Sequence, residues 1–201
     1  MDTSLFEACA NGDLKTVKTL IESEVVDIEA KDNEGYTPLI IALWNGKFRI
    51  VFFLIERGAN IEAKGNNGKT PIIIASHYGF FEVVKRLIEK GADIEAKDNH
   101  GNNAIINSSI FGRIEILELL LENGANIEAK NNNGRTALML SSMNGHLDVM
   151  KLLLENGANI EEKDNDGESF EHYLKDSQKK EVEDFIQDIQ NRRRMIKPNR
   201  R

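Results

Sequence analysis

The sequence predicts an all-α solenoid of repeated helix-turn-helix units, and three observations support this prediction. First, glycines recur in three sets with one period of 33 residues: Gly35, Gly68, Gly101, Gly134 and Gly167; Gly46, Gly79, Gly112 and Gly145; Gly58, Gly91, Gly124 and Gly157. Second, two short apolar runs with helical spacing lie between these glycines in each period. Third, the chain of 201 residues is 40% hydrophobic, so about six stacked units could bury a continuous core.

Residues 35–67 illustrate how the sequence builds one unit. Thr37 is a suitable N-cap, and Pro38 stands at the first helical position, where its missing N–H group costs nothing. The short first helix stops at Gly46, because glycine readily adopts the left-handed conformation that ends a helix. A second helix ends in the same way at Gly58. The nine residues that follow form an extended arm and a turn that lead into the next unit.

Five segments carry a resemblance to a known family: Gly35-Tyr36-Thr37-Pro38-Leu39, Gly68-Lys69-Thr70-Pro71-Ile72, Gly134-Arg135-Thr136-Ala137-Leu138, Gly145-His146-Leu147-Asp148-Val149 and the Leu-Leu-Leu-Glu-Asn-Gly-Ala run at 152–158. Through these segments the chain resembles ankyrin repeat proteins over nearly its whole length. The resemblance implies an ankyrin-type α-solenoid whose helix-turn-helix units are joined by hairpin-like arms. It also implies a protein-binding module without enzymatic activity.

The repeat pattern predicts a single ankyrin-repeat domain over residues 1–191. We place its units at about 1–31 (an N-terminal cap), 32–64, 65–97, 98–130, 131–163 and 164–191 (a C-terminal cap), followed by a basic tail at 192–201. The fourth unit carries Asn107, Ser108 and Ser109 where small apolar residues are usual. We therefore expect that unit to pack least well.

The charge distribution and the single cysteine argue against binding of nucleic acid or anionic membranes and against a disulfide-stabilised fold. The first 191 residues carry 20 Lys and Arg against 33 Asp and Glu, and such an acidic body repels nucleic acid and anionic membranes. The single cysteine, Cys9, cannot form an intramolecular disulfide and is expected to be a core thiol. The four histidines lack metal-ligand spacing. We expect no metal, no cofactor, no small-molecule substrate and no membrane partner, and a cytoplasmic location with the nucleus as the alternative.

Two segments allow a second interpretation. Residues 63–70 match a relaxed nucleotide-binding P-loop with Ala63 in place of the first glycine, but that function requires a preceding strand and a following long helix. We favour the interpretation that Gly68-Lys69-Thr70 is the ordinary repeat turn. The basic tail is a signal for nuclear import, a segment that binds nucleic acid or an anionic surface, or the solvated end of the last helix. These alternatives stay open.

Glutamates and lysines also follow the repeat. Glu29, Glu62, Glu95, Glu128 and Glu161 are each followed two residues later by Lys31, Lys64, Lys97, Lys130 and Lys163. Residues i and i+2 of an extended arm share a face, so stacking the units predicts a Glu column beside a Lys column. We interpret these columns as a solvated ladder of exposed pairs.

Recognition in the family uses variable positions on a concave surface of turn tips and first helices. Positions that vary here from unit to unit are Trp44, His77, Tyr78, Ile110, Phe111 and Met143 on the first helices, and Tyr36, Lys69 and Arg135 at the turn tips. Trp, Tyr, Phe and Met are typical of interface cores. We expect a continuous stripe that binds a protein, with seam packing as the alternative. The predicted function is that of a monomeric adaptor, scaffold or regulatory subunit.

Overall fold

The computed structural model describes residues 3–23 and 26–196, and every regular element in these ranges is helical. The α-helices are α1 (Thr3–Asn11), α2 (Leu14–Glu22), α3 (Pro38–Trp44), α4 (Phe48–Glu56), α5 (Pro71–Tyr78), α6 (Phe81–Glu89), α7 (Ala104–Ile110), α8 (Ile114–Glu122), α9 (Ala137–Asn144), α10 (Leu147–Glu155) and α11 (Asp176–Ile196), with a 3₁₀ turn at Phe170–Tyr173. The predicted all-α class is confirmed.

Two compact units make up the chain, Met1–Ala104 and Ile105–Arg201. In the first unit α1 packs against α2 and α3, α3 packs against α4 and α5, and α6 packs against α4 and α5. In the second unit α10 packs against α8, α9 and α11, and α9 packs against the 3₁₀ turn. Each unit is therefore a stack of short helix pairs. The expectation of one domain over residues 1–191 stays a prediction.

Helix ends lie where the turn chemistry predicts them. The Thr37 hydroxyl caps α3 by accepting from the Ile40 N–H at 3.5 Å, and Pro38 is the first helical residue. Helix α3 ends at Trp44, immediately before Asn45-Gly46. Gly79 directly follows α5 and adopts the left-handed conformation, with a φ of 84°. The repeated glycines thus set the lengths of the inner helices.

Polar residues in α7 are buried without losing their hydrogen bonds. Ser108 and Ser109 are both 0% exposed, as are Ala42 and Ala75 on earlier inner helices. Each serine hydroxyl donates to the Ile105 carbonyl oxygen at 2.9 Å. The expectation that this unit packs least well finds no support at these positions, because a neighbouring turn of the helix satisfies each hydroxyl group.

The glutamate and lysine columns bond to backbone as well as facing solvent. Carboxylates of Glu29, Glu62 and Glu128 accept from the backbone N–H groups of Asn60, Asp93 and Asn159 at 2.7, 2.9 and 2.7 Å. The ammonium groups of Lys64 and Lys130 donate to the carbonyls of Lys97 and Lys163 at 3.1 and 2.9 Å. Each of these bonds joins successive repeats, so the columns hold the arms together.

Candidate functional site

The residues predicted to bind a partner fall into two exposure classes. Trp44, Tyr78, Phe111 and Met143 are 40%, 46%, 37% and 39% exposed. Tyr36, Lys69, His77, Ile110 and Arg135 are half-buried. The first unit brings together the rings of Tyr36 and Trp44 and those of His77 and Tyr78, with centroids 4.6 Å apart in both pairs. A continuous stripe through both units stays a prediction.

The turn that carries Tyr36 is organised by Asp32. Its Oδ1 accepts from the backbone N–H groups of Glu34 and Tyr36 at 2.9 and 2.8 Å. The Asp32 N–H donates to the Tyr36 carbonyl at 3.0 Å, which closes the hairpin-like arm, and Gly35 completes the turn with a φ of 77°. One carboxylate oxygen thus fixes the direction in which Tyr36 leaves the turn.

Gly65 makes room for the Tyr36 ring. The position 33 residues after Asp32 is Gly65, whereas Asp98, Asn131 and Asp164 occupy the later positions of the same register. A methyl group at Gly65 would overlap Cδ1 and Cε1 of Tyr36. The ring therefore lies where the repeat otherwise places a carboxylate or amide side chain. Its other neighbour is Trp44, at an interplanar angle of 47°.

Two carboxylates lie beside this aromatic pair. Burial, followed by the charges of Glu34 and Asp32, raises the pKa of the Tyr36 hydroxyl. Glu34 is exposed, and among the described residues no side chain forms an ion pair with Glu34 or Asp32. We refer to Asp32, Glu34, Tyr36 and Trp44 as the first-turn corner. It combines two aromatic rings with two carboxylates that form no ion pair with a described side chain.

A second aromatic surface in the first unit was not predicted from the sequence. Phe48, Phe52, Tyr78, Phe80 and Phe81 line an open groove of about 590 Å³, which we refer to as the aromatic groove. Phe48 and Phe80 contact edge to face with centroids 4.7 Å apart, and Tyr78 stacks on Phe80 at 5.5 Å. Phe48 and Phe81 are 40% and 36% exposed. The signal available in the sequence was the pair Phe80-Phe81 directly after Gly79, because the other repeats carry only one apolar residue at these two positions.

In the next repeat turn, the tip residue Lys69 does not pair with the aspartate of the turn that follows. The Lys69 ammonium nitrogen lies 3.4 Å from His77 Nδ1. Asp98, which follows Lys69 by 29 residues, accepts from two backbone N–H groups through Oδ1, at His100 and Asn102, both at 2.9 Å. Its Oδ2 is buried and has no hydrogen-bond partner. Lys69 therefore does not compensate the Asp98 charge.

In the second compact unit, side chains of the same chain form hydrogen bonds with Asp164, the aspartate of the corresponding turn. Asp164 Oδ1 accepts from the N–H groups of Asp166 and Glu168, both at 3.0 Å. Asp164 Oδ2 accepts from Arg135 Nε at 3.1 Å and from the Tyr173 hydroxyl. The Arg135 guanidinium also lies over the Tyr173 ring, 5.2 Å from its centroid. Burial acts to raise the pKa of Asp164, but these hydrogen bonds outweigh it and lower the value to about 2.

The P-loop-like segment lies in an ordinary repeat turn. In the described residues no strand precedes it, and the helix after it, α5, has only eight residues. Gly68 has a φ of 74°, and a side chain there would overlap Asn99 of the next turn. Thr70 is 0% exposed at the start of α5. This context differs from the strand and long helix that a P-loop requires.

The remaining candidates for chemistry have structural roles. Cys9 is 0% exposed, and burial raises the pKa of its thiol to about 12. His146 Nε2 donates to the Ile110 carbonyl at 2.9 Å. Among the described residues no group of three or more His, Cys, Asp or Glu could hold a metal ion. None of the helices in this part of the chain combines the length and apolarity needed to cross a membrane.

Part of the basic tail belongs to α11. Arg192 pairs with Asp188 at 3.0 Å and with Glu155 at 3.8 Å. Arg193 donates to the Leu154 carbonyl at 3.4 Å, near the end of α10. Residues 197–201 lie outside the described residues. The described contacts favour the interpretation of a solvated helix end, and a targeting role stays untested.

Comparison with known proteins places these features in a family. A family model described as Ankyrin repeats (3 copies) matches residues 1–65, 62–131 and 99–164. The chain is similar to the crystal structure of EF0377, an ankyrin repeat protein, with a TM-score of 0.80 and 32% identity over 94% of this chain and 96% of that one.

Curated relatives match over shorter segments. Palmitoyltransferase akr1 of Schizosaccharomyces pombe is 47% identical over 28% of this chain, and BTB/POZ domain-containing protein 3 of the same yeast is 44% identical over 27%. Alpha-latrocrustotoxin-Lt1a of Latrodectus tredecimguttatus is 36% identical over 29%. The matched segments make up 9%, 10% and 4% of those relatives, so the chain spans only a small part of their length. With the family model matching most of its length, this chain belongs to the ankyrin repeat family.

Proposed function

We propose that the chain is a non-enzymatic protein-binding module that acts as an adaptor, scaffold or regulatory subunit. Ankyrin repeats are generally protein–protein interaction modules. The observation that carries the proposal for this chain is the exposure of large aromatic side chains at the end of the inner helices. Trp44 and Tyr78 are 40% and 46% exposed, and such rings are frequent hot spots at interfaces.

The proposed binding surface consists of turn tips and inner-helix ends. Tyr36, Lys69 and His77 accompany Trp44 and Tyr78 in the first unit, and Ile110, Phe111, Met143 and Arg135 belong to the second. Thr37 caps α3, and α3 and α5 begin at Pro38 and Pro71. These short helices hold the exposed rings in place, so binding requires little ordering of the chain. The aromatic groove adds a neighbouring apolar surface, since Tyr78 belongs to both sets.

Affinity capture from a native lysate tests the proposal. The bait is the full chain, either wild type or with Trp44→Ala, Tyr78→Ala and Phe111→Ala combined. A Met195→Ala variant is the matched control, because Met195 is also an exposed apolar residue, at 84%, but lies on α11. Circular dichroism establishes that each bait is folded. We expect a protein that the wild type and Met195→Ala retain and the triple variant loses. Equal retention by all three baits would contradict the proposed surface.

A further inference from the structure

The aspartate of the first-turn corner has a counterpart in the last repeat turn, where the aspartate pairs with a cation. Asp32 and Asp164 belong to one register and use Oδ1 in the same way, to accept from the backbone N–H groups two and four residues later. At Asp164 the second oxygen receives the Arg135 guanidinium, which also stacks on an aromatic ring. The chain therefore contains one complete example of a cation held between a carboxylate and a ring.

The cation that pairs with Asp164 belongs to a defined position of the preceding repeat. Arg135 is the turn-tip residue of the preceding repeat and precedes Asp164 by 29 residues. The Tyr36 ring lies against Gly65 across the same separation, so the tip side chains of two turns reach the following turn in this way. The residue 29 positions before Asp32 is Thr3, at the start of α1, which has no positive charge. Asp32 forms no ion pair with any side chain of the described residues.

The corner offers aromatic rings as well as charge. Trp44 is 40% exposed and Tyr36 contacts it, while Glu34 adds an exposed carboxylate near the Tyr36 hydroxyl. Within the described residues, cations lie over Phe53, Tyr173 and Phe185, but none lies over Tyr36 or Trp44. Tryptophan is the ring that attracts a cation most strongly. Negative charge beside unoccupied rings is complementary to a basic side chain.

We infer that the first-turn corner receives an arginine or lysine side chain from a segment of the partner protein. This inference rests on the proposed function and specifies the chemistry of the partner at one point of the surface. The guanidinium or ammonium group lies against Trp44 and Tyr36, with its charge compensated by Asp32 and Glu34. Gly65 has a positioning role, since its missing side chain lets the Tyr36 ring lie against the turn.

Trp44 is the only tryptophan of the chain, so its fluorescence reports directly on the corner. The probe is the peptide acetyl-Gly-Arg-Gly-amide, and acetyl-Gly-citrulline-Gly-amide is the neutral control of nearly equal shape. Both are titrated into the full chain at constant ionic strength. We expect a saturable change in Trp44 emission with the arginine peptide, and at least a threefold weaker response with the citrulline peptide.

Three variants localise the response. Glu34→Gln should weaken the arginine response about threefold, the size of effect expected for one exposed charge pair. Glu82→Gln is the matched control, because Glu82 is an exposed carboxylate of the same unit that lines the aromatic groove instead. Gly65→Ala should weaken the response through the displaced Tyr36 ring, with circular dichroism to establish folding.

Equal responses to the two peptides, or equal effects of Glu34→Gln and Glu82→Gln, would overturn the inference. These titrations need no captured partner, so their failure would leave the proposed protein-binding function standing. Conversely, loss of the captured partner from all baits would not alter the peptide result. The two proposals therefore fail in distinguishable ways.

Discussion

The first and last repeat turns of this chain share one backbone design and differ in what faces the aspartate. At both turns one carboxylate oxygen accepts from two backbone N–H groups. At Asp164 the other oxygen is satisfied by Arg135 and Tyr173, and the side chain is 0% exposed. Asp32 Oδ2, by contrast, forms no ion pair with a side chain of the described residues. In the last turn, therefore, the tip residue of the preceding repeat satisfies the aspartate, whereas among the described residues no cation pairs with the aspartate of the first turn.

Of the variants that test this comparison between the turns, Arg135→Ala should lose the most folding stability. Arg135→Ala leaves the buried Asp164 carboxylate without its cation, so we expect the free energy of unfolding to fall by about 2–3 kcal/mol in urea denaturation. Lys69→Ala is the matched control at the same register, and should cost less than about 0.5 kcal/mol, since Lys69 contacts His77 and does not pair with Asp98. Equal costs would contradict the proposed difference between the turns.

Lowering the pH should remove the part of the folding stability that depends on the ionised Asp164 carboxylate. The pKa of Asp164 is lowered from 3.8 to about 2, so the folded state holds its proton less tightly than the unfolded chain. The contribution of Asp164 is therefore fully present above about pH 4 and is lost as the pH falls toward 2. Thermal melts between pH 5 and pH 2 should show a smaller drop in Tm for Asp164→Asn than for the wild type. Parallel curves would show that Asp164 is not the group responsible.

A methyl group at Gly65 tests how the open turn is built. Gly65→Ala should destabilise the chain by about 1–2 kcal/mol, because the new side chain and the Tyr36 ring cannot occupy the same space. In a Tyr36→Ala background the same substitution should cost less than about 0.5 kcal/mol. Urea denaturation of the four proteins gives the coupling energy. Additive costs would mean that Tyr36 does not lie against Gly65.

The smallest expected effect is an increase in folding stability, caused by a substitution at Lys69. Asp98 Oδ2 is buried without a hydrogen-bond partner, and Lys69 stands at the register that Arg135 occupies before Asp164. Lys69→Arg should supply a planar guanidinium to this oxygen and stabilise the chain by about 0.5–1 kcal/mol. Lys64→Arg, at an exposed lysine that donates to a backbone carbonyl, is the control and should be neutral. Equal urea midpoints for both variants would contradict the proposed pairing.

The sequence was sufficient to predict the helical class and the positions of the inner helices. Spacing was informative because each repeated glycine has a local backbone role: Gly79 and Gly145 end α5 and α9 with φ values of 84° and 73°. The N-cap at Thr37 depends on a contact three residues away, which sequence patterns report well. Exposure of Trp44 and Tyr78 followed from variation against a constant framework.

The organisation of the site could not be predicted in the same way. The sequence pattern places Gly65 in a P-loop-like segment, whereas its role in the structure depends on Tyr36, which lies 29 residues earlier. Arg135 was selected as a contact for a partner, yet it bonds Asp164 and Tyr173 of its own chain, and whether a partner also contacts it stays untested. Contacts between successive turns join residues far apart in sequence, and composition or period does not report them.

The most direct test of the account asks which repeat turn an arginine side chain finds. Acetyl-Gly-Arg-Gly-amide is titrated into the ¹⁵N-labelled full chain, and shift changes are followed at the N–H groups of Glu34, Tyr36 and the Trp44 indole, and at those of Asp166 and Glu168. We predict saturable changes at the first turn and none at the last, where Arg135 already pairs with Asp164. Equal changes at both turns, or changes at the last turn alone, would contradict it.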